Sequence, residues 1–408
     1  MSTPASGLQP PASAVVTGLG CITPLGNDVP TFWDNLVAGR SGIAPLTKLD
    51  TTGLRNASGG EVQNFDWSLY GDEGDCDEAS QFAFAAAREA IRDSDLSDAE
   101  LKSCGLVFST NFGGAASWEA CCELVRAGLK ADGELFSQFT LEDAAEYTAR
   151  RLNCDGPRVT LSNACSSGGN AVGLALDWLR LGRAERVLCG GHDGLGLSSL
   201  AGLSILRTIT PDFCRPFDKN RNGTIFGEGA AMLLLENRDS AVKRGAKIYA
   251  EVLGWAVNNN AHHLTAPDKN GAGLEAVMNA ALRDASVAAD EVDYINAHGT
   301  GTQYNDLAET QAIKKVLGTR ASSTPVSSIK AATSHLMAGA GALEALVTVL
   351  ALRNQLLPPT IHYQTPDPEC DLDYVPNAAR KAQIEVALSN SSGIGGNNAC
   401  LVFRKFVS

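Results

Sequence analysis

Apolar positions along this chain follow two rhythms. Short contiguous apolar runs read as buried strands, and longer stretches with apolar residues three and four apart read as helices. Ala14–Gly20 (AVVTGLG) is a first strand ending in glycines, Thr31–Ala38 a short helix, and the alanine-rich Ala79–Ser94 a longer one. Gly105–Ser109 (GLVFS) is a second strand, followed by a helix carrying Trp118, Leu124 and Val125 and a loop with Phe136 and Phe139. Val159 and Leu161 mark a strand that turns through Ser162, Asn163 and Ala164 into a small-residue helix with Val172, Leu174, Leu176 and Leu179. Arg186–Gly191 (RVLCGG) and Ala230–Glu236 are further strands, separated by the polar, turn-rich Arg215–Gly229. Residues 1–12 form a Pro/Ser tail, and 40–80 is irregular, with an acidic run at 71–78 (GDEGDCDE) that reads as a solvated loop. This order of strands and helices predicts an α/β sheet layered with helices.

The pattern then repeats. Ala90–Leu101 (AIRDSDLSDAEL) is echoed by Ala281–Val292 (ALRDASVAADEV), each after an alanine-rich helix and before a strand, GLVFS in one case and DYINA in the other. The strand–turn–helix around position 165 is echoed by Ser327–Leu352, where VSSIK leads through a turn into a Gly/Ala-rich helix. Identity across the echoes is low, but the order of elements agrees. The expectation is two similar α/β halves, residues 1–250 and 251–408, fused face to face.

Composition narrows the classes. The 408 residues are 44% hydrophobic and 19% charged, as in ordinary globular proteins. A net charge of −13 argues against nonspecific binding to nucleic acid or anionic membranes. The eleven cysteines have no zinc-type spacing. A disulfide framework is not expected without a secretory signal, and MSTPASGLQPPASA has no basic n-region or apolar core. No apolar stretch approaches a membrane span. A cytoplasmic protein with most cysteines in its core is expected.

The candidate chemistry lies at strand ends. Cys165 sits at a strand-to-helix turn, where backbone N–H groups and the helix dipole favour an anion and would lower a thiol pKa toward thiolate at neutral pH. Gly168 and Gly169 would admit another backbone or a ligand. A lone cysteine in such a turn is usually structural. Here, however, His298 lies in a Gly/Thr loop after a strand (NAHGTGT), and Lys330 is followed by His335 at a helix start (SIKAATSHLMAGAGALE). Asp306 and Glu309 lie a helical turn apart just after His298, and Ser389–Asn398 (SNSSGIGGNN) is a glycine loop between the last two strands. Of the six histidines, His192, His262, His263 and His362 lack so defined a setting and read as surface or core residues.

With these residues in view, the chain resembles the β-ketoacyl-ACP synthases over nearly its whole length. The motifs are the Cys165 turn, HGTGT, K-x4-HL-x-x-GAGA-x-E, RPFD…GEGA and the terminal GIGG loop. The nearest types are the second condensing enzyme of bacterial dissociated fatty acid synthesis and the ketosynthases of type II polyketide pathways. The resemblance implies the thiolase fold, two pseudo-equivalent α/β halves in a five-layer αβαβα arrangement, usually as a homodimer or a ketosynthase heterodimer. It implies an acyltransferase in which Cys165 accepts an acyl chain from a carrier-protein thioester. Neutral His298 and His335 would then assist decarboxylation of malonyl thioester, giving a 3-oxoacyl product. By the same resemblance, the N–H groups of Cys165 and Ile394 form the oxyanion hole, and Lys330 pairs with Glu309 to order the histidine loops. Thr300 and Thr302 contact the phosphopantetheine arm, while Leu203, Ile394 and Phe112 line the substrate site. No metal and no bound cofactor are implied, because acyl carrier protein delivers the pantetheine.

The chain departs from the family pattern in places. Ile394 stands where phenylalanine usually gates the acyl pocket, Ser392 replaces an aromatic, Leu203 falls where another phenylalanine is common, and Ser334 precedes His335 in place of glycine. The acidic 71–78 run occupies a region that tends to be basic for carrier docking, leaving Arg126, Lys130 and Arg207 as the candidate basic rim. A non-elongating chain-length partner subunit would typically lack the nucleophilic cysteine. A degradative thiolase would need a second reactive cysteine near the C-terminus, whereas Cys400 lies within an apolar strand (ACLVF). A hydrolase would not explain the two halves.

Overall fold

A computed structural model describes residues 14–72, 74, 76–131 and 133–407. The Pro/Ser tail at 1–12 lies outside the described residues, as do Glu73 and Asp75 of the acidic run. Ten strands form one hydrogen-bonded series. They are β1 (Ala14–Ile22), β2 (Gly105–Ser109), β3 (Arg158–Leu161), β4 (Arg186–Asp193), β5 (Gly229–Asn237), β6 (Ala250–Asn259), β7 (Tyr294–Asn296), β8 (Val326–Ser327), β9 (Val386–Ser392) and β10 (Asn397–Lys405). Their spatial order is β8-β7-β9-β10-β6-β1-β5-β4-β2-β3. Reading inward from each edge, strands β1–β5 and β6–β10 follow the same topology. The third, second and fourth strands are parallel, and the fifth and first are antiparallel. The two sets meet where β1 pairs antiparallel with β6, Val16 opposite Ala250.

Of the helices packed around these strands, eight frame the site and its cores: α1 (Glu78–Ser94), α2 (Ala115–Arg126), α3 (Asp143–Leu152), α4 (Ser167–Arg180), α5 (Leu197–Ile205), α6 (Ala272–Ala285), α7 (Gln303–Leu317) and α8 (Gly339–Asn354). Strand alternation explains the layers, since successive side chains point to opposite faces. Val107, Leu233 and Leu235 face a central core containing α4 and α8, while Leu106, Phe108, Met232 and Leu234 face an outer core with α1 and α3. In the other set Leu401 and Phe403 face the same central core, and Cys400 and Val402 face α6 and α7. The result is helix, sheet, helix, sheet, helix, the five layers the resemblance implies. Helix α8 is buried on every side from Gly339 to Leu352, which its near-unbroken small and apolar sequence permits.

The sequence echo has a backbone basis. Helix α1 ends at Asp95 and α6 at Ser286, both left-handed with φ 54° and ψ 41°, and each cap N–H returns to the carbonyl of the echoed arginine, Arg92 or Arg283. Helix α1 lies so close to β1 that a Cβ at Gly18 or Gly20 would fall 2.1 or 2.0 Å from the carbonyl oxygens of Ala90 and Ala86. The glycines of AVVTGLG and the alanines of α1 are one packing solution.

The acidic run is not simply a solvated loop. Cys76 and Asp77 are buried, and Asp77 caps α1 through Ala79 N–H while accepting from the N–H and hydroxyl of Ser117. Glu78 pairs with Lys48. All eleven cysteines are free, and every one except the half-buried Cys122 is buried.

Candidate active site

The nucleophile candidate is built by the turn between β3 and α4. Ala164 takes φ +52°, a left-handed conformation that swings Cys165 out of the strand direction just before the helix begins. Ser167 closes the elbow, accepting from Asn163 N–H at 2.7 Å and donating to Ala164 O at 2.6 Å. The glycine loop approaches so closely that a Cβ at Gly393 would sit 3.0 Å from the Cys165 nitrogen. That approach places the Ile394 N–H against the Cys165 sulfur.

Burial pushes the Cys165 thiol up to about 11, against the pull of the Ile394 N–H and the Lys330 ammonium. The expected neutral-pH thiolate is therefore corrected for the unliganded chain: desolvation outweighs those pulls. The helix N-terminus favours the negative charge that develops during attack rather than a standing anion.

Both histidines come from the second half. His298 follows β7, and its N–H and that of Gly299 each donate at 2.9 Å to the two oxygens of Glu309, one turn into α7. Lys330 opens the short turn Lys330–Thr333 after β8, and its ammonium lies 3.2 Å from His298 Nδ1 and 2.5 Å from the His298 carbonyl. An ammonium only donates, so His298 Nδ1 accepts and its proton resides on Nε2. His335 Nδ1 accepts from Met337 N–H at 3.1 Å, which places its proton on Nε2 as well. Burial, aided by the Lys330 charge, holds both imidazoles well below the usual range and hence neutral. The rings meet edge-on, 5.4 Å apart, and Phe226 lies against His335 at 5.2 Å.

The pairing of Lys330 with Glu309 requires correction. Lys330 forms its ion pair with Glu344 in the second turn of α8, and all three side chains are buried. Glu309 is taken up instead by the backbone of the histidine loop and by Asn390. It orders that loop as expected, but as an acceptor of N–H groups. Burial pushes both carboxyls up to about 7. Around them Ser389 Oγ and Asn390 Oδ1 are buried with no hydrogen-bond partner among the described residues.

One cavity of about 860 Å³ is lined by Cys165, His298, His335, Thr300, Thr302 and Ile394 together. Thr300 and Thr302 hydroxyls lie 2.9 Å apart in the loop that leads into α7. Leu203 belongs to an apolar cluster with Phe226 and Met337 beside His335, and Phe112 and Ile394 pack against that cluster. Arg207 lines the mouth of the cavity, but Arg126 and Lys130 sit exposed at and beyond the end of α2 and do not line it. The mouth carries Arg55, Lys269, His262 and His263 instead, scattered over two loops that no single motif links. Glu344 is the glutamate of the GAGA-x-E stretch, but only the packing of α8 beneath Lys330 marks it as the partner. His192 is a core residue whose burial pushes it down to about 4.

The N-terminal domain of β-ketoacyl synthases matches residues 12–241, and their C-terminal domain matches 249–364. The chain is 40% identical over 406 residues to the 3-oxoacyl-[acyl-carrier-protein] synthase 2 of Synechocystis sp., covering 96% of this chain and 98% of that one. It is 38% identical over 405 residues to the enzyme of the same name from Staphylococcus aureus, with the same coverage. Among solved structures, the ishigamide ketosynthase/chain length factor superposes with a TM-score of 0.92 at 36% identity, covering 97% of this chain and 100% of that one. A type II PKS acyl-carrier protein in complex with its ketosynthase bound to the hexaketide gives 0.90 at 33% identity and the same coverage. With the thiolase fold and near full-length matches to both domains, this chain belongs to the β-ketoacyl synthase family.

Proposed function

We propose that this protein is an acyltransferase catalysing the decarboxylative Claisen condensation of an acyl thioester with malonyl-ACP, giving 3-oxoacyl-ACP through acyl-Cys165. The observation that carries the reading is the convergence of one sulfur and two Nε2–H donors on a single cavity. In the first step the Cys165 sulfur attacks the acyl carbonyl, and the N–H groups of Cys165 and Ile394 hold the oxyanion. The pantetheine sulfur leaves with the proton. In the second step the malonyl thioester oxygen accepts from His298 and His335 as CO₂ departs, so the enolate forms against two neutral donors. Its carbon attacks acyl-Cys165, and the cysteine sulfur is expelled. Lys330 keeps the His298 Nδ1 free of a proton by donating to it, and Glu344 balances the buried ammonium.

Thr300 and Thr302 would hold the pantetheine amides, and Leu203, Phe112 and Ile394 the acyl chain. The phosphopantetheine arrives on acyl carrier protein, and no bound cofactor is required. The basic mouth at Arg55, Arg207 and Lys269 suits an acidic carrier better than Arg126 and Lys130, which lie away from it. Trp118, Val125, Leu129, Phe136, Phe139 and Leu141 leave apolar surface exposed, with Trp118 and Phe139 rings 5.0 Å apart, which suits docking of a second ketosynthase-type chain. Whether that chain is identical decides between a homodimer and a heterodimer. The two halves divide near residue 250, and the setting is cytoplasmic; no helix among the described residues is long and apolar enough to cross a membrane. A non-elongating partner role is disfavoured by Cys165 itself.

Cys165→Gln tests the reading. It should decarboxylate malonyl-ACP without forming 3-oxoacyl product, and product formed by that variant would sink the assignment.

A further inference from the structure

Asp193 ends β4 and is fully buried next to the nucleophile. Its carboxylate is saturated by donors from two directions. Oδ1 accepts from the Thr110 hydroxyl at 2.7 Å and from the N–H groups of Asn111 and Phe112, each at 3.0 Å. Oδ2 accepts from Ala338 N–H at 2.8 Å. The first group belongs to the loop after β2 that carries Phe112 into the apolar cluster. The second belongs to the turn between His335 and α8, one peptide beyond the Met337 N–H that fixes the His335 ring. That turn has no slack: Met337 takes φ +51°, and a Cβ at Gly191 would come within 2.6 Å of Ala338 O. Asn111, with its amide oriented to suit its neighbours, spans the Ala164 carbonyl of the nucleophile elbow at 3.1 Å and the Ala338 N–H at 3.2 Å.

From this geometry we propose that Asp193 is a positioning residue of the condensing site, a single carboxylate that sets the Phe112 loop and the His335 turn at a fixed spacing around Cys165. The inference rests on the condensing reading above. Asp193 touches no reacting atom and acts through the groups it holds. Its charge also reaches Cys165 and is one cause of that thiol's upward shift.

Asp193→Asn separates the two arms. An amide keeps one acceptor oxygen, which will turn toward the three donors, leaving its NH₂ against the Ala338 N–H. The His335 turn then keeps only the longer contact from Ala338 N–H to Asn111, while the Phe112 loop keeps its own anchor. Malonyl decarboxylation should fall roughly ten- to a hundredfold in kcat, with KM and the rate of Cys165 acylation held within about threefold, as expected for a misplaced catalytic group. The pH profile of Cys165 alkylation should move to lower pH as the neighbouring charge is lost. Decarboxylation within about threefold of wild type, or equal loss in both half-reactions, would overturn the proposal. If Asp193→Asn does not fold, Thr110→Val tests the other arm. It should alter the chain-length profile of Cys165 acylation and leave malonyl decarboxylation intact. An unchanged profile, or lost decarboxylation, would overturn it. Wild-type protein that fails to decarboxylate malonyl-ACP would sink the condensing reading, whereas an active wild type with an indifferent Asp193→Asn sinks this inference alone.

Discussion

The two halves share one strand topology and differ at the junction between third strand and buried helix. In the first half the junction is an elbow: one left-handed residue, Ala164, then Cys165, with α4 beginning two residues on. In the second half the same junction is drawn out between β8 and α8. It holds Lys330, Ser334 at φ +65°, His335 and Met337 at φ +51° before α8 starts at Gly339. A short elbow presents one atom at a helix N-terminus, as attack on a carbonyl requires. A long turn can aim a ring and bury the cation that sets its tautomer. In the proposed mechanism the duplicated scaffold thus divides the chemistry, with the nucleophile from one half and the enolate-stabilising donors from the other.

That division is broken most severely by exchanging the two junctions' losses. Cys165→Ala should abolish acylation, whereas His335→Ala should leave Cys165 acylation intact and reduce condensation by about 10²–10⁴-fold. Parallel loss of both half-reactions in either variant would deny the division of labour. Intact-mass and product assays read the two steps separately.

A smaller effect concerns the second half's buried cation. Lys330→Ala leaves Glu344 buried without its partner and should cost about 3–5 kcal/mol in denaturant unfolding. A double-mutant cycle should couple Lys330 to Glu344 by about 0.5–3 kcal/mol and to Glu309 by much less. The reverse order would restore the Glu309 pairing.

The histidines' environment can be read from pH. Because burial and Lys330 hold both below the ordinary imidazole range, they stay neutral as pH falls through 6.5. The imidazole NMR signals of His298 and His335 should therefore show no protonation centred there, and ring protonation at pH 6.5 would contradict neutral, pre-set donors. The mildest change is Ile394→Phe, which should narrow the acyl range, lowering kcat/KM for the longest acceptable chain relative to shorter ones by about tenfold. An unaltered chain-length profile would remove Ile394 from the pocket wall.

Much of this arrangement was legible in the sequence because local signals carry it. The AIRDSD and ALRDAS echoes mark helix ends with the same left-handed cap, and glycines facing alanines mark where α1 lies on β1. Cys165 and His298 follow strand ends, His335 precedes a helix start, and the fold brings them to one cavity. What escaped depends on long-range packing. Nothing local distinguishes Glu309 from Glu344 as the partner of Lys330; the choice is set by which helix turn lies beneath the ammonium. Asp193 looks like a strand terminus until two loops from different halves converge on it. The thiol's upward shift arises from burial, which residue identity does not reveal. The acidic run misled because its charge pattern hides the capping and Ser117 contacts of Asp77.

The proposal is that one sulfur and two imidazoles from opposite halves act in turn at one cavity, the sulfur on the acyl thioester and the imidazoles on the malonyl thioester. It is tested most directly by incubating wild type with a panel of acyl-carrier proteins, reading Cys165 occupancy by intact mass, and then adding malonyl-ACP. The account predicts a single acyl adduct on Cys165 that disappears as 3-oxoacyl-ACP appears. An adduct that forms on another residue, or one on Cys165 that malonyl-ACP cannot discharge, would contradict it.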